Sequence, residues 1–142
     1  MPGSGPAYGR SFDLDLLPGA HALVRLEPGA PEPGWLAGAD PGAGLVSVTR
    51  TPEELSIICP ERLVPGAQER SGDRRVLRVA GPLEHSLTGV LVAIAAPLAE
   101  AGVPILAFGT WDTDWLLVAG PDLDRATAAL SGAGHRVARP AG

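Results

Sequence analysis

An α+β fold is predicted for this chain, and three observations predict it. Short runs with alternating apolar residues recur along the whole sequence, as half-buried strands require. In the second half, two segments carry apolar residues at helical spacing, and the elements there fall in the order βαββαβ. The first half repeats this plan in weaker form, with its helices shortened or lost, at a period of roughly 60 residues. We read a degenerate internal duplication, each copy a split βαβ sheet with its helices on one face.

The N-terminal residues 1–11 are mostly Gly, Pro and Ser and read as a flexible tail. From Phe12 to Leu17 polar and apolar residues alternate, with Asp13 and Asp15 on one face. Pro18-Gly19 marks a turn, and His21 to Glu27 reads as a strand. Nine of the seventeen residues from 28 to 44 are Gly or Pro, which excludes a regular helix there and leaves Trp35-Leu36 as its apolar anchor. Leu45 to Arg50 and Leu55 to Cys59 form a hairpin around Thr51-Pro-Glu-Glu54, where Pro52 presets φ for the turn. Residues 60–73 read as a polar connection.

Val76 to Ala80 begins the second copy as a strand. Leu87, Val90, Leu91, Ile94 and Leu98 then define a helix, with Ser86 expected at its N-cap and Gly102 just past its end. Pro104 to Gly109 and Trp115 to Ala119 are strands either side of a tight Thr110-Trp-Asp-Thr-Asp114 corner. Asp122 to Leu130 is a second helix, stopped by Gly132 and Gly134, and His135 to Arg139 is the last strand. The expected organisation is a tail over 1–11, a degenerate lobe over 12–72 and a complete lobe over 73–140.

Composition removes several functions. The 142 residues carry a net charge of −5, which argues against a phosphate-backbone binder. One cysteine, Cys59, permits neither an internal disulfide nor a cysteine-built zinc site, and suits a reducing cytoplasm. No signal peptide is legible, and the longest apolar run, Val90 to Ala99, is too short to span a bilayer. We therefore expect a cytoplasmic protein with no nucleic-acid or membrane partner. No Walker loop, dinucleotide fingerprint or nucleophile elbow occurs. His21, His85 and His135 lie far apart and read as surface or edge-strand residues, and Cys59 as a small packed hydrophobe. Asp112 and Asp114 read as part of an exposed turn rather than a catalytic pair. The expectation is a chain that is not an enzyme and has no cofactor or metal.

Two segments point to binding. In Leu83-Glu-His-Ser-Leu-Thr-Gly-Val90 a strand ends and a helix opens, and unpaired amides at a helix start suit a ligand carboxylate. Gly89 would let a ligand approach the backbone closely. In Val103 to Val118, a strand edge brings Thr110, Trp111 and Asp114 to the end of the sheet. An acid and an aromatic facing free amides is what a zwitterionic amino acid needs.

The segments Ser47-Val-Thr-Arg-Thr-Pro-Glu-Glu-Leu-Ser-Ile-Ile-Cys59, Gly81-Pro-Leu, Ser86-Leu-Thr-Gly-Val90, Ala96-Pro-Leu-Ala-Glu-Ala-Gly-Val103 and Gly109-Thr-Trp-Asp-Thr-Asp-Trp-Leu-Leu-Val118 resemble the small bacterial tandem ACT-domain proteins. That group is related to the ACT lobes of the CASTOR-type cytosolic arginine sensors. The likeness runs from about Leu14 to Arg139. It implies two ferredoxin-like ACT lobes and an amino-acid effector held at a lobe or dimer interface. On this resemblance Asp114 corresponds to the aspartate that meets the ligand, and Thr110 and Trp111 to a Thr-aromatic pair. Ile105 falls where a valine backbone contributes, while Leu87, Thr88, Gly89 and Val90 fall in the helix-opening loop. Pro104 stands where the arginine-sensing lobe has serine, and Leu87 where the sensors have glutamate. Pro104 removes a hydroxyl and an N–H, and Leu87 a carboxylate partner for a guanidinium, so a smaller or more apolar amino acid than arginine is implied. A homodimer would restore the four lobes that the sensors carry in one chain.

Two functions therefore compete. The first is a non-catalytic regulatory module that binds an amino acid. The alternative is a protein-interaction or dimerisation module with a vestigial pocket, in which Gly89 and Trp111 would serve subunit packing.

Overall fold

The computed structural model describes residues 9–40, 42 and 44–140. Most of the expected tail, residues 1–8, lies outside them. The fold is mixed α+β, with eight strands and two α-helices among the described residues. Two compact units emerge, Pro18–Arg75 and a second that joins Met1–Leu17 to Val76–Gly142.

Strand β1 (Asp13–Leu16) belongs to the other unit, and the unit 18–75 is formed by β2 (His21–Leu26), β3 (Ser47–Arg50), β4 (Leu55–Pro60) and the first residues of β5 (Ser71–Val79). Their order is β3-β4-β2-β5. The β3–β4 hairpin closes as the sequence implies. The Thr51 N–H donates to the Glu54 carbonyl at 2.9 Å, and the Thr51 hydroxyl accepts from the Glu53 and Glu54 amides. No α-helix forms. Single 3₁₀ turns at Gly34–Gly38 and Glu61–Leu63 stand in the connections, the first in the Gly/Pro-rich segment that cannot sustain a helix. The core is correspondingly small: Ala22, Val24, Leu55, Ile57, Cys59 and Val64, with Trp35 and Leu36 packed on its margin.

β5 begins five residues before the expected Val76. Its start is hidden in the sequence because Asp73 takes a left-handed conformation (φ 48°) and the pairing with β2 shifts register there. Glu61 stabilises the irregularity: its carboxylate accepts the Asp73 N–H at 2.8 Å and faces Arg70 at 3.7 Å.

In the other unit, β1 (Asp13–Leu16), the end of β5, α1 (Val90–Glu100), β6 (Leu106–Gly109), β7 (Asp114–Ala119), α2 (Leu123–Gly132) and β8 (Arg136–Ala138) follow in chain order. From β5 onwards this is the expected βαββαβ. The sequence reading grouped β1 with the N-terminal lobe, but β1 pairs antiparallel with β5 (Leu14 opposite Val79) and parallel with β8 (Leu14 opposite Val137). It lies between those two strands, and the division of the chain falls after Leu17 and after Arg75 rather than at residue 72. The cause is burial: Leu14 and Leu16 complete the core that the second half builds. Leu77 and Val79, with Leu116 and Val118, line the same sheet face, which Val90, Ile94 and Leu98 of α1 cover beside Leu123, Ala126 and Leu130 of α2. On the opposite face Trp115 stacks on Phe108, and Arg78 reaches over its ring while pairing with Asp15 at 3.1 Å.

α1 starts later than its periodicity implies. Gly89 sits at its N-cap in the left-handed region (φ 81°), so the helix cannot extend back to Ser86, which lies in the turn before it. Gly89 is thus required by its backbone conformation. At the other end Gly102 (φ 73°) closes the helix, with the Val103 amide donating to the Leu98 carbonyl.

Two of the three histidines are buried, not superficial as expected. His135 accepts the Phe12 N–H at Nδ1 (3.1 Å), and its Nε2–H donates to the Ala93 carbonyl (2.8 Å). His21 accepts the Leu45 N–H at Nε2 (3.1 Å). Both rings take a backbone amide that would otherwise be buried unpaired, a need that local sequence does not reveal.

Because Nε2 of His21 is an acceptor, the neutral ring carries its proton on Nδ1, and protonation would set one N–H against another. Burial, foremost, holds its pKa below the ordinary value of 6.5; backbone interaction with Gly19 partly opposes this, and the Arg75 charge adds to it. The unfolded chain therefore takes up the proton first as pH falls. The His21 contribution is intact above pH 6.5 and is lost progressively below it, at no more than about 1.4 kcal/mol per pH unit for one proton. Urea unfolding at pH 7.5 and 5.5 should show wild type losing more stability between these values than His21→Gln; equal losses would remove His21 as the cause.

Cys59 is buried, as expected of a packed hydrophobe, and burial pushes its thiol pKa up to about 11 against a weaker opposing effect of Arg70. A thiol-specific reagent at pH 7.5 should label almost no native protein and one site per chain in urea. Prompt native labelling would show that this strand opens.

Candidate functional site

The unit that holds α1 and α2 contains a cleft of about 360 Å³, within the range of small-ligand sites. One wall is the connection from β5 to α1, represented by Leu83, Glu84, His85, Leu87 and Gly89, and by Val90 and Leu91 of the helix itself. The other is the β6–β7 corner, Thr110 to Asp114. Distant in sequence, the two walls are tied together by backbone. The Leu83 N–H donates to the Asp112 carbonyl at 2.7 Å, and His85 donates from Nε2 to the Trp111 carbonyl at 2.7 Å. The His85 ring also meets the Trp111 indole edge-on, with centroids 4.7 Å apart.

The corner is rigid for local reasons. The Thr110 N–H and hydroxyl both donate to the Thr113 carbonyl, and the hydroxyl accepts the Trp115 indole N–H at 2.8 Å. Buried Thr113 donates to the Val79 carbonyl, anchoring the corner to β5. Gly81 makes room for this contact, since a Cβ there would lie 3.1 Å from the Asp112 carbonyl oxygen.

Two groups at the cleft have unspent capacity. Asp114 is half-buried, and among the described residues its carboxylate has no hydrogen bond or ion pair. The first amide of α1 to find a backbone partner is that of Ala93, bonded to the Gly89 carbonyl, and no side chain caps the helix. The amides of Val90, Leu91 and Val92 thus precede the first intrahelical bond, at the positive end of the helix. A carboxylate and free amides that line one cleft, as Asp114 does with Val90 and Leu91, can take both ends of a zwitterion.

Of the residues expected from sequence, Leu87, Gly89, Val90, Thr110, Trp111 and Asp114 line this cleft. Three others do not. Thr88 is exposed outside it, and Pro104 and Ile105 precede β6, Ile105 packing against the core. Thr110 lines it with a hydroxyl already engaged in the corner, and Ser86 provides no cap. The structure adds Leu83, Glu84, His85, Leu91, Asp112 and Thr113. The first three adjoin the expected loop; the bonds of Leu83 and His85 to the corner reveal them, and Glu84 lies between those two. Among the described residues no group of three His, Cys, Asp or Glu side chains is placed to hold a metal, and no helix is long and apolar enough to cross a membrane.

This is the fold of an ACT-domain protein: a family model for the ACT domain matches residues 70–132. A second model, described only as the N-terminal domain of a family, matches residues 19–67. Protein Atu0741 from Agrobacterium tumefaciens is 30% identical over 93% of this chain and 96% of that one, with a TM-score of 0.84, and the chain belongs to the same family. VC0802 from Vibrio cholerae, a protein of unknown function, is similar at 20% identity over 89% and 92% of the two chains (TM-score 0.70). The regulatory subunit of aspartate kinase from Thermus thermophilus shares the fold at 14% identity over 87% and 96% (TM-score 0.57). No curated protein matches the chain in sequence.

Proposed function

We propose that this chain is a non-catalytic, cytoplasmic regulatory protein that binds a free amino acid in the cleft between the β5–α1 connection and the β6–β7 corner. Asp114 takes the ligand's ammonium, the first-turn amides of α1 take its carboxylate, and Leu87, Leu91 and Trp111 bound the side chain. The observation that carries this reading is the shared cleft of an unpartnered carboxylate and uncapped helix amides. The likeness of residues 86–90 and 109–118 to the CASTOR-type sensors supports the role of Asp114, and Leu87 and Pro104 favour an amino acid smaller or more apolar than arginine. The unit 18–75, with 3₁₀ turns in place of helices, serves as a degenerate second ACT lobe. A ligand regulates here by its differential affinity for two conformations or assembly states.

A thermal-shift screen against the common amino acids tests the reading. At about 100 times its dissociation constant, the ligand should add about 2.7 kcal/mol, on the order of 5–10 °C in melting temperature. If no amino acid near millimolar concentration moves the melt, the chain is an interaction module with a vestigial pocket.

A further inference from the structure

We propose that His135 is a proton-operated latch: neutral, it ties the chain at Phe12 to α1, and protonated, it lets Phe12 go while keeping hold of α1. Pro97 makes the place for it. Proline has no N–H, so the carbonyl four residues back, that of Ala93, has no helical partner in the middle of α1. His135 supplies the missing donor from 42 residues away, its Nε2–H meeting the Ala93 carbonyl at 2.8 Å. With that nitrogen committed as the donor, Nδ1 of the neutral ring is bare, and it accepts the Phe12 N–H at 3.1 Å. One buried ring thus joins the residues that lead into β1 and β8 to the middle of α1. Phe12 also stacks on it, with centroids 5.9 Å apart.

The two bonds respond oppositely to a proton. Nε2–H donates in both charge states, and its bond to a carbonyl strengthens when the ring is cationic. Nδ1 accepts only while bare; once protonated, it sets its own N–H against that of Phe12. The Phe12 carbonyl still accepts the Arg136 N–H at 3.0 Å, so the chain swings out at this residue while β1 beyond it stays paired. The charged groups around the ring are few. Arg10 lies over the Phe12 ring at 5.7 Å, and Asp13 faces Arg136 at 3.9 Å. α1 carries no charge before Glu100, and on α2 Asp124 pairs with Arg139 and Arg125 with Asp122. Imidazole changes charge between pH 5 and 8, which gives the latch its signal. Its neighbours set what it opens. Arg10 to Asp13 form one bank of a groove of about 440 Å³, and Leu83, Glu84 and Leu87 on the other bank also line the cleft. Acid therefore loosens the segment that lies beside the β5–α1 wall of the cleft.

Nuclear magnetic resonance of the full chain from pH 8 to 5, without amino acid, tests the latch. At pH 8 the His135 ring should carry its proton on Nε2 alone. As the ring becomes cationic, protection of the Phe12 amide against exchange should fall roughly tenfold or more. That of the Leu116 amide, in the interior strand β7, should hold. In His135→Gln, which takes up no proton, Phe12 protection should not change with pH. Pro97→Ala returns an N–H to the helix, so His135→Gln should cost less urea stability in that background than in wild type. If His135→Gln fails to fold, the tautomer and the titration of the wild type decide. A bare Nε2 at pH 8 or a ring still neutral at pH 5 would overturn the proposal. So would Phe12 protection that survives ring protonation or falls equally in His135→Gln, or a His135→Gln cost unchanged by Pro97→Ala. The latch rests on the proposed function only for the use of the cleft it adjoins, and it is read without ligand, so either proposal can fail alone.

Discussion

Asp114→Ala is expected to abolish the amino-acid-induced rise in melting temperature while leaving the unliganded melt within a few degrees of wild type. The carboxylate is half-buried at the first position of β7, and among the described residues it holds no partner whose loss would weaken the fold. The backbone pairing of Asp114 with Gly109 does not depend on the side chain. A hydrogen bond to a charged group contributes about 1.5–3 kcal/mol, so its loss corresponds to a fall in affinity of roughly 10- to 150-fold. Asp114→Asn keeps the shape and removes the charge, and should lose most of the shift as well. Retention of the full shift in both variants would move the ammonium to Glu84 or Asp112, the other acids at the cleft. Retention in the asparagine variant alone would make the contact a neutral hydrogen bond.

Ile94→Ala is expected to be the most destabilising of the substitutions considered. Ile94 is fully buried on the inner face of α1, within the cluster that joins both helices to β1, β5 and β7. Truncation removes three carbons and leaves a cavity that rigid neighbours fill only in part, at a cost of about 2–5 kcal/mol. That is a large share of the stability of a small domain. Urea unfolding followed by far-UV circular dichroism should show the midpoint falling with little change in slope. A loss under about 1 kcal/mol would mean that the α1 contact with the sheet is looser than the burial implies.

Sequence periodicity reached the helices and most strands because it reports which face of an element is apolar. Ile94 and Leu98, four residues apart, mark the buried side of α1, and alternation through Leu14 and Leu16 marks the buried side of β1. It does not report which neighbour that face will meet. The membership of β1 was missed for this reason, since its partners Val79 and Val137 lie far along the chain. Gly89 stands out in the sequence as a glycine where the helix opens, but not its left-handed conformation, which starts the helix and leaves the first-turn amides without a side-chain cap.

The amino-acid order by itself determined the local pieces of this protein: the Thr51–Glu54 turn, the helical stripes, the strand faces and the acid at the β6–β7 corner. These depend on residues within a few positions of one another, where backbone sterics and apolar spacing act. Only the tertiary structure decided that Leu83 and His85 would be bonded to the carbonyls of Asp112 and Trp111, and so that loop and corner would form one cleft. It also decided that two histidines would be buried to satisfy distant amides. Such contacts are fixed by which buried backbone groups still need a partner once the chain has closed, and that is a property of the packed molecule.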